Sequence, residues 1–252
     1  MLSDESYSAT ELNELSGECK GVVGIYNSIE ETYNYIKSCP DPELPKNSIK
    51  DICHYMEILR GYAEKCDHIT EFGINQVNST WAFLVTKPKK LVSVDKDLHH
   101  NPIKDGGIIP EECKYDNVKT NVWLDSASEL AAIENIDFEV IEGWTADAHT
   151  ASLLADIPVD TIPVVIEQTD LLFIDTLHTY DCLSRELELH GDKVNKYIIF
   201  HDTVLFSGIV PAIDEFLENN KEWKRDRVEH STPGLTVIKK DTSPPKLQWW
   251  EK

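Results

Sequence analysis

Two short segments in the second half of the chain concentrate side chains that could do chemistry. One reads Asp170-Leu-Leu-Phe-Ile-Asp175-Thr-Leu-His178-Thr-Tyr180, the other Lys196-Tyr-Ile-Ile-Phe-His201-Asp202-Thr203. Each is an apolar run with the length of a buried strand, and each ends in an acidic residue. If the two runs are adjacent parallel strands, Asp175 and Asp202 converge at one edge of a sheet, with His178 and His201 beside them. Carboxylates with a nearby imidazole can hold a divalent cation, and an oxygen-rich set favours Mg²⁺ or Mn²⁺ over Zn²⁺. The plainer alternative makes both acids helix caps and both histidines solvated loop residues.

A second constellation lies upstream. Ile69-Thr-Glu71-Phe-Gly73-Ile-Asn75-Gln-Val-Asn78-Ser79-Thr80-Trp-Ala-Phe-Leu84 reads as a strand, a tight turn and the start of a helix. In an open α/β sheet, ligands bind beyond the carboxyl ends of the strands, and a glycine at the turn lets backbone approach them closely. Asp95 follows the next apolar run, roughly twenty residues after Gly73, where an acid can accept hydrogen bonds from ribose hydroxyls. A dinucleotide enzyme would show G-x-G-x-x-G at this turn, and here only Gly73 is present. Read blandly, Glu71 is a strand-end carboxylate, Asp95 a helix N-cap and Gly73 a packing glycine.

Glu71-Phe-Gly73 resembles the start of the first motif, E/D-x-G-x-G-x-G, of class I S-adenosylmethionine-dependent methyltransferases, with Asn75 and Val77 replacing the later glycines. The pairing of I-D-x-x-H-x-Y with F-H-D-T is more specific. It resembles the macrocin-type sugar O-methyltransferases and the related cephalosporin hydroxylase-like group, over roughly residues 50 to 240. The resemblance implies S-adenosylmethionine bound by Glu71, Gly73, Asn75, Ser79 and Thr80 around the first turn, by Asp95 at the ribose, by Gly143 and Trp144 bordering the adenine, and by Asp175. It further implies Asp175 and Asp202 as metal ligands and His178 as the catalytic base. His201 stands where the well-understood members have Glu; as a third ligand it would shift preference toward Mn²⁺ or another transition metal.

The N/D-P-P-Y/F signature expected of nucleic-acid amine methyltransferases is replaced by Asp175-Thr-Leu-His178, which favours a hydroxyl acceptor. The macrocin-type resemblance implies a sugar or glycosylated small molecule. A catechol-type phenol stays open, because vicinal oxygens on either acceptor could chelate a metal. So do the hydroxylase-like branch and a cofactor-binding protein with a decayed site.

Charge argues against nucleic acid, and a small-molecule or glycan acceptor is what the resemblance implies. With 24 Lys+Arg against 45 Asp+Glu, the chain carries a formal charge of -21 and repels a phosphate backbone. The basic clusters, Lys87 to Lys90 and Lys221 to Arg227, are short, so nucleic acid is not expected as a partner. The six cysteines are scattered with no C-x-x-C pair and read as reduced. The N-terminus lacks a basic region followed by an apolar core, and no run of about 18 apolar residues occurs. A cytoplasmic protein without membrane partners is expected; homo-oligomerisation stays open.

The chain is long enough to bury one substantial core. Residues 1–47 are polar and acidic and end in Cys39-Pro-Asp-Pro-Glu-Leu-Pro45, which reads as an N-terminal helical appendage and linker. Residues 48–252 form the methyltransferase domain in this reading. Ser48 could cap a helix with Ile49, Ile52, Cys53, Met56, Leu59 and Ala63 on one face. Strands are expected at 69–72, 91–94, 138–141, 171–174 and 197–200, alternating with helices such as 126–133. Arg227 to His230 and Gly234 to Lys239 read as a closing antiparallel pair. The fold class is therefore α/β, a Rossmann-like, mainly parallel sheet with that pair at its end. The long connection 97–124 is either a substrate-covering lid or a plain surface insertion.

Overall fold

The computed structural model describes residues 28–38, 52–75, 77–99, 120–147 and 160–241. The Ser48 cap, the proline-rich linker and most of the 97–124 connection lie outside the described residues.

Seven strands form one sheet: β1 (His68–Phe72), β2 (Lys90–Asp95), β3 (Asp137–Glu142), β4 (Thr169–Ile174), β5 (Val194–His201), β6 (Trp223–Glu229) and β7 (Leu235–Lys240). Their order is β3-β2-β1-β4-β5-β7-β6, the first five parallel and β7 antiparallel to both of its neighbours. Strand order reverses between β1 and β4, and a crevice at the carboxyl ends of such strands is where open α/β sheets bind ligands.

Alternation along the central strands explains the layers. Leu171 and Phe173 of β4 point into one apolar cluster, and Leu172 and Ile174 into the other. The first cluster is covered by α1 (Ile29–Ser38), α2 (Met56–Ala63), α3 (Asn78–Leu84) and α4 (Thr120–Ile133), through residues such as Tyr33, Leu59, Trp81 and Leu130. The second is covered by α5 (Tyr180–His190) and α6 (Val210–Asn219), through Leu183, Leu187, Ala212 and Ile213. A strand buried on both faces needs a continuous apolar run, which is why β4 and β5 were legible as such.

Some expectations shift. Of the helix expected from Ile49, the described part begins with a 3₁₀ turn, Ile52–Tyr55, before α2. Helix α4 starts at Thr120, six residues earlier than the sequence pattern suggested. Helix α1, from the segment read as an appendage, contributes Ile29 and Tyr33 to the same cluster as α2 and α3. The closing antiparallel pair is present, with β6 beginning already at Trp223. Among the described residues no helix is long and apolar enough to cross a membrane.

One long-range clamp positions the far side of the site. Tyr55 donates its hydroxyl proton to Ser231 O at 2.7 Å and accepts from Gly234 N at 2.9 Å. The turn so held receives Val204 N and Leu205 N on Pro233 O, both at 2.9 Å. This fixes the loop that follows β5.

Candidate active site

The first strand-to-helix turn packs directly against the end of β4. Gly73 adopts φ 82°, donates its amide to Val94 O at 2.9 Å, and leaves no room for a β-carbon, which would stand 1.8 Å from Asp175 O. Asn75 and Val77 adopt φ 43° and 64°, so the turn enters the left-handed region where the related motif carries glycines. That conformation costs a non-glycine residue about 1–2 kcal/mol, least for Asn.

Beyond these strand ends lies a cavity of about 400 Å³, within the range of small-molecule sites. Gly73, Asn75, Asp95, Gly143, Trp144 and Asp175, six of the residues expected to hold the cofactor, all line it. Asp95 Oδ2 accepts from Ile74 N at 2.7 Å, and its Oδ1 accepts from Asp97 N at 3.2 Å. Oδ2 also accepts from Asn75 N at 3.4 Å, so the acceptor capacity this carboxylate retains lies on Oδ1. Gly143 N donates to Asp95 O at 2.8 Å, and Lys96 Nζ lies 5.0 Å from the Trp144 ring centroid, a cation–π contact at the cavity wall.

Glu71, Ser79 and Thr80 do not line this cavity. Glu71 is wholly buried and accepts from the hydroxyls of Ser79, Thr80 (2.8 Å) and Ser93 (2.7 Å). Burial pushes its carboxyl up to about 7, against the opposing effect of these three donors. The three residues hold one another beneath the turn, tying α3 and β2 to β1.

A second buried acid, which the sequence reading missed, lies below the opposite wall. Glu186 of α5 is fully buried and takes the hydroxyl protons of Thr145, after β3, and Thr176, after β4. Burial again raises the carboxyl to about 7, opposed by both hydroxyls. On the same helix, Arg185 grips Asp147 with two hydrogen bonds of 2.9 and 2.8 Å, and His190 Nε2 lies 2.8 Å from Thr145 O. Three residues of α5 thus hold the loop after β3. Such pairs, some forty positions apart, carry no sequence signature.

Beside the cavity, the ends of β4 and β5 bring two acids and two histidines together. Register pairs Ile174 with Phe200, which puts Asp175 and Asp202 at the same edge. His178 Nε2 lies 2.8 Å from Asp202 Oδ2 and 3.2 Å from Asp175 Oδ1. His201 Nδ1 lies 3.2 Å from Asp175 Oδ2 and 3.6 Å from Asp202 Oδ1, outside hydrogen-bonding geometry with either. Asp202 itself adopts φ 61°, in the left-handed region.

The electrostatics of the quartet are mutual. Burial would push Asp175 up, but His201 and His178 hold it well below the usual carboxylate range; Asp202 shifts the same way for the same reason. Burial opposes charge on His178, yet its two carboxylate partners raise it to about 9. His201 is likewise raised well above its ordinary value by Asp175, against burial. The acids and the imidazoles thus favour one another's charged forms.

The two imidazoles are placed differently. His201 is 2% exposed, with the rings of Tyr55 and Phe173 around it at centroid distances of 5.7 and 6.4 Å. The His178 side chain is 25% exposed and stacks on Phe206 at 4.3 Å and 7°. Donor atoms of Asp175, His178 and Asp202 all lie within 4.8 Å of one another, a separation a single cation could bridge. The expected ligand set had His201 in place of His178; both stand against the same pair of acids.

No protein-family model matches the sequence, and no curated protein matches it. Among solved structures, the O-methyltransferase NovP superposes with a TM-score of 0.51 at 15% identity, covering 92% of this chain and 96% of that one. The O-methyltransferase from Bacillus cereus, in complex with S-adenosylhomocysteine, gives 0.49 at 12%, covering 92% and 100%. The Podospora anserina methyltransferase PaMTH1, bound to the same product, gives 0.46 at 15%, covering 95% and 99%. At such identities the likeness is one of fold: this chain has the Rossmann-like fold of the methyltransferases.

Proposed function

We propose that this chain is an S-adenosylmethionine-dependent, divalent-metal-assisted O-methyltransferase acting on a hydroxyl of a sugar or glycosylated small molecule. The observation that carries this reading is the double membership of Asp175, which lines the cavity and also belongs to the acid–histidine cluster. A donor held in the cavity and an acceptor held at the cluster would meet at that residue. The fold shared with the O-methyltransferase NovP supports the class. The resemblance of I-D-x-x-H-x-Y and F-H-D-T supports the macrocin-type branch.

The residues present fit both groups. Asp95 Oδ1 retains a lone pair for a ribose hydroxyl, and Trp144 with Gly143 forms a wall against which a planar base could lie. Carboxylates of Asp175 and Asp202 with His201 Nδ1 would form a donor set for Mg²⁺ or Mn²⁺, leaving His178 as the base, and a bound dication would disfavour the imidazolium form of both histidines. The cation would supply Lewis-acid polarisation of the acceptor oxygen. Bound S-adenosylmethionine would supply an already activated methyl group, and His178 would take the acceptor's hydroxyl proton. Asp175, between cavity and cluster, keeps the two halves of the site in register.

An aromatic acceptor is the second reading, favoured by the exposed Phe206 stacked on His178 and by its exposed neighbours Val204 and Leu205. The deciding experiment incubates the purified chain with isotopically labelled S-adenosylmethionine, Mg²⁺ or Mn²⁺, and panels of glycosides and catechols. Methylated glycoside is expected, with turnover abolished by chelation while calorimetric binding of S-adenosylhomocysteine persists. Full activity after exhaustive metal stripping would eliminate the metal-assisted mechanism. Tight product binding with no turnover on either panel would instead identify a cofactor-binding protein.

A further inference from the structure

We infer that Glu186 is a positioning residue that sets the hydrogen-bonding polarity of the cavity, selecting a base that presents an amino group over one that presents a keto group. Thr145 and Thr176 both line the cavity, one from the loop after β3 and the other from the loop after β4. Each hydroxyl has a single proton. Thr145 gives its proton to Glu186 Oε1, and Thr176 places its own between Oε1 at 2.9 Å and Oε2 at 3.0 Å. An ionised carboxylate only accepts, so both threonine protons are committed to it and neither hydroxyl has one to give to a ligand in the cavity.

The device is rigid. Glu186 is 0% exposed, Thr145 is 7% exposed, and Thr145 O is held at 2.8 Å from His190 Nε2 on the same helix. Rotating the Thr176 hydroxyl toward a ligand would take from Oε2 the threonine proton it receives, and rotating Thr145 would leave one shared proton for both carboxylate oxygens, either at the cost of an under-satisfied buried charge. A ligand edge placed against these oxygens must therefore bring its own donor. Given the methyl-donor reading of the cavity, on which this assignment rests, the group addressed is the exocyclic amine of adenine. A hypoxanthine base, with a keto oxygen at that position, meets two acceptors and is rejected.

Selectivity between S-adenosylhomocysteine and S-inosylhomocysteine, measured by calorimetry in mildly alkaline buffer where Glu186 is ionised, tests the assignment. The wild-type chain should prefer the adenosyl ligand. Glu186→Gln brings an amide donor to the threonines and frees a hydroxyl proton for the cavity, so the preference should shrink by about tenfold or more. Thr176→Val and Thr145→Val remove one acceptor each without touching the buried acid. At least one should weaken the adenosyl ligand selectively, which keeps the assignment falsifiable if Glu186→Gln does not fold. A merely structural Glu186 would weaken both ligands in proportion. An unchanged ratio in all three folded variants, with adenosyl binding intact in the wild type, overturns the polarity assignment alone. Failure of the wild type to bind either nucleoside overturns the methyl-donor reading with it.

Discussion

The carbonyl oxygen of Asp175 occupies the space into which a side chain at Gly73 would project, 1.8 Å from where the β-carbon would be. Asp175 N donates to Phe72 O at 2.8 Å across the same junction, so the turn after β1 and the acid after β4 are one rigid unit. Gly73→Ala must move backbone rather than a side-chain tip, in addition to the left-handed φ. We expect a loss of about 2 kcal/mol or more by urea unfolding, together with loss of S-adenosylhomocysteine binding. Gly61→Ala is the control: it lies within α2 with nothing within 4 Å of an added β-carbon, and should be neutral or slightly stabilising. A Gly73→Ala protein of normal stability and affinity would contradict this packing.

Asp95 supports the turn as well as facing the cavity, so its two substitutions separate. Asp95→Ala removes the acceptor of Ile74 N and any ribose contact, and should weaken S-adenosylhomocysteine by roughly tenfold or more. Asp95→Asn keeps one acceptor oxygen and should lie between that variant and the wild type. Equal affinities of all three by calorimetry would remove Asp95 from the ligand site.

His178 and His201 compete for the role of base, and their exposures decide between them. His201 is enclosed between aromatic rings, whereas His178 opens toward solvent beside Phe206 and can receive a proton from a ligand. His178→Ala should lower turnover by about 10² to 10⁴ with product affinity nearly unchanged. His201→Ala should act through the acids instead, by disturbing Asp175 and Asp202. Near-normal turnover in His178→Ala, alongside an inactive His201→Ala protein that still binds Mn²⁺ by electron paramagnetic resonance, would reverse the assignment.

What the sequence made legible was what lies at the ends of continuous apolar runs. Asp175 and Asp202 follow β4 and β5, Gly73 and Asp95 follow β1 and β2, and the strand pattern alone brings these residues to one edge. Ser79 and Thr80 were misplaced because spacing along α3 does not reveal which face meets the cavity, and both face the buried Glu71. Glu186 was invisible for the converse reason. A glutamate in the second turn of an amphipathic helix reads as surface charge, and only the loops after β3 and β4, arriving from far along the chain, bury it. The start of α4 was missed because Gly and Pro upstream suggested a longer break.

Glu71 makes stability depend on pH in a direction opposite to that of most carboxylates. Its folded carboxyl is raised by burial from 4.5 to about 7, so between these values the folded chain holds a proton that the unfolded chain has released. Stability therefore falls as pH rises through this window: the contribution is complete below about 4.5 and gone above about 7. Glu186, raised to about 7 from the same starting value, adds in the same sense. Glu71→Gln cannot ionise, and Thr80 and Ser93 can turn their hydroxyls to accept from the new amide. The variant should be equal to or slightly less stable than the wild type in mild acid. Its stability relative to the wild type should then rise with pH, by up to about 1.4 kcal/mol for each unit crossed in the window. Urea unfolding of both proteins across mildly acidic to mildly alkaline buffers measures this difference directly, with the other titrating groups common to both. A stability difference that stays constant across that range would mean that Glu71 is ionised throughout, held so by its three hydroxyl donors.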